Sequence, residues 1–227
     1  MKIGILQTGH SPEALLGEFG NYGALFVKLL GGQGFTFGIF DVVSMAFPAS
    51  PDACDGWLIT GSRHGAYEDL PFIAPLEDFI RAVIAADKPL VGICFGHQII
   101  AQALGGKVEK FAGGWAVGRQ TYDWDGATVA LNAWHQDQVV ELPPGAEVIA
   151  SNDMCRNAAV VYGDKAFTVQ AHPEFDSAFI KGLADTRGRG VVPDPLLRHA
   201  YDTLALPNDN ARLARDIGTF FKERSFK

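Results

Sequence analysis

The residue with the clearest potential for chemistry is Cys94, which lies within Gly92-Ile-Cys94-Phe-Gly96. An apolar run, Pro89–Ile93, precedes this segment, and a run of helical character, Gly96–Leu104, follows it. Glycines two residues before and after a nucleophile let the chain turn sharply between a strand and a helix, and the turn holds the side chain out at the end of the strand. The pattern therefore predicts a nucleophile elbow with cysteine as the nucleophile.

A turn of this kind favours thiolate chemistry. A free thiol is only a few per cent ionised at neutral pH, whereas the N-terminus of a helix stabilises a thiolate. The backbone amide of Phe95 points to where an oxyanion would form, and losing such a donor costs about 3 kcal/mol of barrier. The alternative is that Cys94 is a small buried hydrophobe, the commonest role of a free cysteine. Because two glycines flank Cys94, we favour catalysis there, and we interpret Cys54 and Cys155 as buried thiols.

A cysteine nucleophile needs a base that a third group holds in orientation. His172 follows the apolar run Phe167–Ala171 and precedes Glu174 by two residues, with Pro173 fixing the backbone between them. A His-x-Glu sequence alone is typical of an ordinary loop. In a chain that also carries the elbow, it predicts the base and the acid of a catalytic triad.

The first half of the chain alternates short apolar, β-branched runs with segments of helical length. This alternation predicts an α/β domain whose parallel strands are joined by crossover helices. Open sheets of this kind bind ligands at the carboxyl ends of their strands, where Cys94 is predicted. The predicted strands are Lys2–Leu6, Phe35–Val42, Gly56–Thr60 and Pro89–Ile93, and the predicted helices are one ending at Leu30, Pro75–Ala86 and Gly96–Leu104.

The second half predicts a β-rich addition to this domain. The expected strands are Thr128–Leu131, Glu147–Ala150, Ala158–Tyr162 and Lys165–Ala171, with the two-residue turn Gly163-Asp164 joining the last two. The stretch between Lys181 and Pro207 is rich in Gly, Pro and Arg and is predicted to be irregular, followed by an amphipathic helix from Asn208. We expect residues 1–227 to form a single three-layer domain.

Composition argues against several classes of partner. The 227 residues carry 19 basic and 26 acidic side chains, a net charge of −7, whereas nucleic-acid surfaces are normally basic. No apolar run approaches the roughly 20 residues of a membrane span, and the apolar stretch at the N-terminus is too short for a signal peptide. Three cysteines are an odd and sparse set, which favours a reducing, cytoplasmic compartment.

Together these residues resemble the class I, triad-type glutamine amidotransferase family. The segment from Gly92 to Gln98 and the downstream His172-Pro-Glu174 carry the resemblance, and Thr60-Gly61-Ser62 is similar to the family's oxyanion loop. Ala66-Tyr-Glu-Asp69 and Trp134-His-Gln-Asp137 make the chain most similar to the stand-alone, GMP-synthase-like branch, which includes γ-glutamyl peptidases.

The resemblance implies a flavodoxin-like fold and hydrolysis of the side-chain amide of glutamine through a γ-glutamyl thioester. Cys94 would attack, His172 would pass a proton to the departing ammonia, and Glu174 would orient His172. The implied oxyanion donors are backbone amides at Gly61, Ser62 and Phe95, and the implied substrate contacts are Gln98, Trp134, His135 and Gln136. Neither a metal nor an organic cofactor is implied.

Family members with a biosynthetic role carry, or dock onto, a synthase that consumes the ammonia. About fifty residues follow Glu174, too few for such a domain, so a synthase would be a separate subunit. The small-molecule substrate stays open between free glutamine and a γ-glutamyl peptide. Arg63 and His64 either meet a substrate carboxylate or form an exposed charged loop.

Two other classes of function and a metal site fit the same residues less well. In a cysteine variant of the α/β-hydrolase type the acid precedes the histidine far along the chain, whereas here Glu174 follows His172. A regulatory domain without turnover is disfavoured by three intact triad positions. His135 and Asp137 have the spacing of metal ligands, but no further ligands cluster with them in the sequence, so we predict no metal.

Overall fold

A mixed nine-stranded sheet organises the computed structural model, which describes residues 1–225. The strands are β1 Lys2–Gln7, β2 Thr36–Asp41, β3 Gly56–Ile59, β4 Leu90–Ile93, β5 Lys107–Lys110, β6 Ala116–Trp124, β7 Ala127–His135, β8 Asp137–Glu141, β9 Glu147–Ser151, β10 Ala159–Tyr162 and β11 Ala166–Val169. The α-helices are α1 Glu13–Phe19, α2 Tyr22–Leu29, α3 Ile73–Ala85, α4 Phe95–Ala103, α5 Ser177–Leu183, α6 Asp194–Asp202 and α7 Asn210–Glu223.

The strand order of the large sheet is β2-β1-β3-β4-β11-β10-β9-β6-β7. The first five of these strands pair in parallel, and the remaining pairs are antiparallel. β5 and β8 form a separate two-stranded antiparallel sheet. The predicted α/β class is confirmed, with a parallel half that carries the elbow and a β-rich addition.

Alternation along the parallel strands places apolar side chains in two layers, one on each face of the sheet. In β4, Val91 and Ile93 pack into one layer with residues of α2 and α7, whereas Leu90 packs into the other layer with residues of α3 and α4. Both faces are covered by helices, so these short strands are buried along their whole length. The result is the expected three-layer arrangement.

The predicted irregular stretch between Lys181 and Pro207 is wrong. It contains the end of α5, a π-helical turn at Ala184–Gly188, and the nine-residue helix α6. Pro193 directly precedes α6, and Pro195 lies in its first turn, where a proline costs no helical hydrogen bond. Ala200 packs on β6 so closely that a Cβ at Gly118 would lie 2.7 Å from the Ala200 Cα, which shows that tertiary packing stabilises this helix.

Two further predictions about the β region need correction. Tyr162 pairs with Ala166, so Gly163, Asp164 and Lys165 form a three-residue hairpin loop rather than a two-residue turn. The Lys165 carbonyl accepts a hydrogen bond from Leu90 of the neighbouring strand, which draws this residue out of the hairpin pairing. Strands β5, β6 and β8 were not predicted, because their apolar residues alternate with charged and polar ones only over part of their length.

Within residues 1–225 no helix combines the length and the apolar character that a membrane span requires.

Close contact between α4 and the sheet fixes the position of the elbow. A Cβ at Gly96 would lie 2.3 Å from the backbone oxygen of Ile59, and a Cβ at Gly92 would lie 2.5 Å from the backbone oxygen of Gly96. The Gly96 amide donates a hydrogen bond to the Thr60 carbonyl at 3.2 Å. Only glycine therefore allows the first turn of α4 to lie directly against the end of β3.

We expect Gly96→Ala to lower the free energy of unfolding by about 1–3 kcal/mol, because the added methyl group must displace the backbone of β3. The matched control is Gly17→Ala on the exposed face of α1, where a Cβ meets nothing within 4 Å. That change should raise stability by about 0.5–1 kcal/mol through helix propensity. Urea unfolding of both variants measures the difference, and equal stability of Gly96→Ala and the unsubstituted chain would contradict the packing argument.

Candidate active site

Cys94 occupies the sharp turn between β4 and α4. Its φ is +53°, a conformation that side chains other than glycine rarely adopt. The Cys94 amide donates to the Val169 carbonyl of β11 at 2.8 Å, and the residue is only 4% exposed. Surrounding packing and this hydrogen bond thus hold a strained backbone at the carboxyl end of β4, as the predicted elbow requires.

His172 and Glu174 form a buried pair beyond the end of β11. The Nδ1 atom of His172 lies 2.7 Å from Oε1 of Glu174, and the two side chains are 4% and 1% exposed. The His172 amide donates to the Asn132 carbonyl of β7 at 2.8 Å. The imidazole also stacks on Phe175, with ring centroids 4.0 Å apart and planes 6° apart. Both backbone and ring are therefore fixed.

The imidazole of His172 and the thiol of Cys94 lie next to each other, and Gly61 lies beside both. A Cβ at Gly61 would lie 2.9 Å from Cε1 of His172 and 3.7 Å from Cβ of Cys94. Burial opposes the charged imidazolium, but the charges of Glu174 and Cys94 and hydrogen bonds to both outweigh it and raise the pKa of His172. The structure thus brings the three predicted triad residues together in the order thiol, imidazole, carboxylate.

The predicted oxyanion loop lies next to this triad. The Gly61 carbonyl accepts hydrogen bonds from the hydroxyls of Thr8 and Thr60, each at 3.0 Å. These two hydrogen bonds fix the loop. The Ser62 hydroxyl accepts from the His64 amide at 3.1 Å. Phe95 is the first residue of α4, so its amide belongs to the group of N–H donors that a helix leaves without intrahelical partners.

An open cleft of about 460 Å³ leads to the thiol of Cys94. Of the predicted site residues, Cys94, His172, Ser62, Gln98, Trp134, His135 and Gln136 line it, whereas Gly61, Phe95 and Glu174 lie behind its surface. The Gln98 amide nitrogen donates to the carbonyl of Asp137 at 2.8 Å and to Oε1 of Gln170 at 3.1 Å. Gln98 therefore ties α4 to Asp137 in the cleft wall and to Gln170, which directly follows β11.

Several residues of the cleft wall are not predicted by any pattern in the sequence. These are Tyr22, Gly65, Tyr67, Glu68, Lys110, Trp115, Phe175, Leu183, Arg187 and Val191. Most come from loops or from the segment that was predicted to be irregular, so no periodic pattern linked them to the site. The tyrosine and tryptophan side chains were the only available signal, because such residues are enriched in binding surfaces.

His135 is buried in the cleft wall. Burial, followed by the charge of His172, lowers the pKa of His135 to about 3, so its side chain is neutral at physiological pH. Over the described part of the chain, residues 1–225, no group of three or more His, Cys, Asp or Glu side chains is arranged to hold a metal ion.

Comparison with known proteins identifies the class of protein that this fold and site define. The family described as glutamine amidotransferase class-I matches residues 46–179, more than half of the chain. The match includes the elbow, the oxyanion loop and His172-Pro-Glu174. The chain therefore belongs to the class I glutamine amidotransferase family, and the predicted resemblance is confirmed.

Individual relatives agree with this assignment. Gamma-glutamyl peptidase 3 of Arabidopsis thaliana is 32% identical over 74% of this chain and 74% of its own length. GMP synthase [glutamine-hydrolyzing] of Bordetella parapertussis is 32% identical over 61% of this chain but only 30% of its own length. The crystal structure of a glutamine amido transferase from Methylobacillus flagellatus covers 100% of this chain and 96% of its own at a TM-score of 0.79 and 22% identity, which confirms the predicted flavodoxin-like fold class.

We expect Glu174→Gln to lower the pKa of His172, because the charge of Glu174 is the largest effect that raises it. The raised pKa of His172 stabilises the folded state fully below the unfolded pKa of about 6.5. That stabilisation is lost as the pH rises through the folded pKa of about 10. The stability difference between the unsubstituted chain and Glu174→Gln should therefore be largest near pH 6 and shrink towards pH 10.

Urea unfolding at pH 6, 7, 8 and 9 measures this trend. Glu147→Gln, on the exposed end of β9, is the control and should show no comparable dependence on pH. A stability difference for Glu174→Gln that grows as the pH rises would contradict the assignment of a charged His172 in the folded protein.

Proposed function

We propose that this protein hydrolyses γ-glutamyl amide bonds through a γ-glutamyl thioester on Cys94. One observation carries the proposal. The thiol of Cys94, at a strained turn, lies beside the buried imidazole of His172, whose Nδ1 lies 2.7 Å from the carboxylate of Glu174. Membership of the class I amidotransferase family supports the same reaction.

The first half-reaction forms the thioester. The Cys94 thiolate adds to the γ-carbonyl carbon of the substrate and forms a C–S bond. The imidazolium of His172 then transfers a proton to the leaving nitrogen as the C–N bond breaks, which releases ammonia or an amine. The carboxylate of Glu174 keeps the Nδ1 proton in place and stabilises the positive charge on the ring, the role of the acid in a catalytic triad.

The second half-reaction releases glutamate. His172, now neutral, takes a proton from a water molecule as the water oxygen adds to the thioester carbon. The C–S bond then breaks, and the sulfur leaves as a thiolate beside the recharged imidazolium. Both tetrahedral intermediates carry an oxyanion, for which we propose the amides at Gly61, Ser62 and Phe95 as donors.

We propose two substrates for this one reaction, free glutamine and γ-glutamyl peptides. Gln98 and the segment from Trp134 to Gln136 line the cleft where the γ-glutamyl group would lie. The cleft volume of about 460 Å³ falls within the range of sites for ligands larger than one amino acid. The volume of the cleft and a relative named gamma-glutamyl peptidase both favour a γ-glutamyl peptide as the second candidate substrate.

A synthase partner would be required if the product is biosynthetic ammonia. The GMP synthase relative matches this chain over 30% of its own length. That relative's printed name supports a synthase as the partner that we propose for this chain. We also propose that residues 1–227 act as one amidotransferase domain in a reducing, cytoplasmic compartment, since the reaction needs a reduced Cys94 and all three cysteines are unpaired.

Cys94→Ala should abolish hydrolysis, with kcat at least about 10⁴-fold lower, because the nucleophile is lost. Its melting temperature should change by less than about 4 °C, the shift that roughly 1 kcal/mol causes in a domain of this size. Cys155→Ala is the control and should keep full activity. A large loss of stability with partial activity in Cys94→Ala would favour a core thiol instead.

Titration with a glutamine-like chloroketone gives a second test of the nucleophile. Burial raises the pKa of Cys54 and raises that of Cys155 to about 12, so both remain thiols at neutral pH. We expect one equivalent of label, located on Cys94 by peptide mass spectrometry. Equal labelling of the three cysteines would contradict the proposal.

A panel of glutamine and γ-glutamyl dipeptides, followed by mass spectrometry, distinguishes the two substrates. Ammonia from glutamine identifies a glutaminase, whereas a higher kcat/KM for the dipeptides identifies a peptidase. A reduced protein with intact Cys94 that releases neither product would support a regulatory domain without turnover.

A further inference from the structure

Arg187 reaches the cleft from the segment that sequence analysis predicted to be irregular. It lies in the π-helical turn Ala184–Gly188, and π-helical turns occur frequently at functional sites. The turn packs against the cleft wall, since a Cβ at Gly188 would lie 3.1 Å from Cη2 of Trp134. Leu183, Arg187 and Val191 line the cleft on this side.

Two hydrogen bonds hold the guanidinium of Arg187 in place. Nη1 donates to the hydroxyl of Tyr22 at 3.0 Å, and Nη2 donates to the carbonyl of His10 at 2.8 Å. A guanidinium has five N–H donors, so these bonds leave three of them for other partners. The side chain is half-buried, and its position is therefore set before any ligand arrives.

The charge of Arg187 is not balanced by a carboxylate in the part of the chain that the structure describes, because no ion pair within 4.0 Å joins it to an acidic side chain. Two other basic side chains of this part of the chain do have an acidic partner, because Lys181 and Arg189 pair with Asp185 at 2.7 and 3.6 Å.

The acidic side chains of the cleft are engaged elsewhere. Glu68 accepts from the Gly65 amide at 2.7 Å and lies 3.4 Å from His64, and Asp137 shares a hydrogen bond with Tyr67. Arg187 is thus a positioned cation that faces the cleft without a protein anion.

Tyr22 connects this cation to the triad. Its ring lies 6.0 Å from that of Phe175, on which His172 stacks. A Cβ at Gly9 would touch both the Tyr22 ring and the backbone of the oxyanion loop. Burial raises the pKa of Tyr22, and the charge and hydrogen bond of Arg187 lower it. The charges of Cys94 and Glu174 also raise the pKa of Tyr22. Arg187 is therefore linked to the imidazole of His172 through two aromatic rings, those of Tyr22 and Phe175.

We propose that Arg187 binds a carboxylate of the substrate and so determines specificity for carboxylated γ-glutamyl compounds. This inference rests on the proposed hydrolysis of γ-glutamyl amides. Every such substrate has an α-carboxylate on its glutamyl group, and a γ-glutamyl dipeptide has a second carboxylate on its leaving group. A guanidinium with free N–H groups in one plane suits either of them, because arginine binds carboxylates through paired hydrogen bonds.

Steady-state kinetics of Arg187→Gln with glutamine, γ-glutamylglycine and γ-glutamylglycinamide test the proposal. Loss of a charge-assisted contact should raise KM by about 10- to 100-fold, with kcat nearly unchanged. Arg187→Lys should recover part of the affinity, since it keeps the charge but loses the planar pair of donors. The matched control is Arg189→Gln, two residues away, whose exposed side chain pairs with Asp185.

The three substrates distinguish the two sources of the carboxylate. A KM that rises equally for all three identifies the α-carboxylate. A rise for γ-glutamylglycine alone, with glutamine and γ-glutamylglycinamide unaffected, identifies the carboxylate of the leaving group. Arg187→Gln that behaves like Arg189→Gln with every substrate overturns the proposal.

Binding of γ-glutamylglycine to Cys94→Ala, measured by calorimetry, separates this inference from the proposed reaction. We expect the double variant Cys94→Ala, Arg187→Gln to bind about 10- to 100-fold more weakly than Cys94→Ala. This comparison keeps its meaning even if the unsubstituted protein hydrolyses nothing, an outcome that would refute only the proposed function. Equal affinity of the two variants would overturn the role of Arg187.

Tyr22→Phe provides a second route if Arg187→Gln fails to fold. It removes the hydroxyl that anchors Nη1 but keeps the packed ring. We expect a smaller rise in KM, of a few fold, for the same substrates as Arg187→Gln. An unchanged KM in a folded Tyr22→Phe protein would contradict a positioned guanidinium.

Discussion

The close approach of α4 to the end of β3 is the contact on which the rest of the site depends. Gly96 lies so near the backbone of Ile59 that no side chain fits between them. Cys94 lies two residues before this contact, at the turn out of β4, and has a strained conformation with φ at +53°. Cys94 lines the cleft at this edge of the sheet, although the residue is almost fully buried.

Parallel strands on both sides of β4 bring the other reacting groups to this edge. β3 leads into the loop at Gly61, and β11 leads into His172, so the imidazole and the oxyanion loop flank the sulfur. The antiparallel half of the sheet then holds His172 through the carbonyl of Asn132 on β7. Each reacting group is thus attached to a different strand, and the register of the sheet sets the distances between them.

The C-terminal part of the chain shapes the cleft rather than the triad. α6 packs on β6, and the π-helical turn before it directs Arg187 towards Tyr22. A buried carboxylate and a buried imidazole stabilise each other within the triad, whereas Arg187 has solvent and the open cleft around it. The proposed chemistry therefore belongs to the parallel core, and the proposed substrate selection belongs to the segment that covers it.

The sequence by itself determined the parallel half of the fold and the three residues of the proposed triad, since short apolar runs, paired glycines and a His-Pro-Glu segment are local patterns. It did not determine α6, the hairpin loop at Gly163 to Lys165, or the cleft residues that come from the 181–207 stretch. Those features depend on contacts between segments far apart in the chain, such as Ala200 on Gly118 and Arg187 on Tyr22. Prolines and charged residues in the 181–207 stretch weaken helix periodicity, and only packing against β6 decided that a helix forms there.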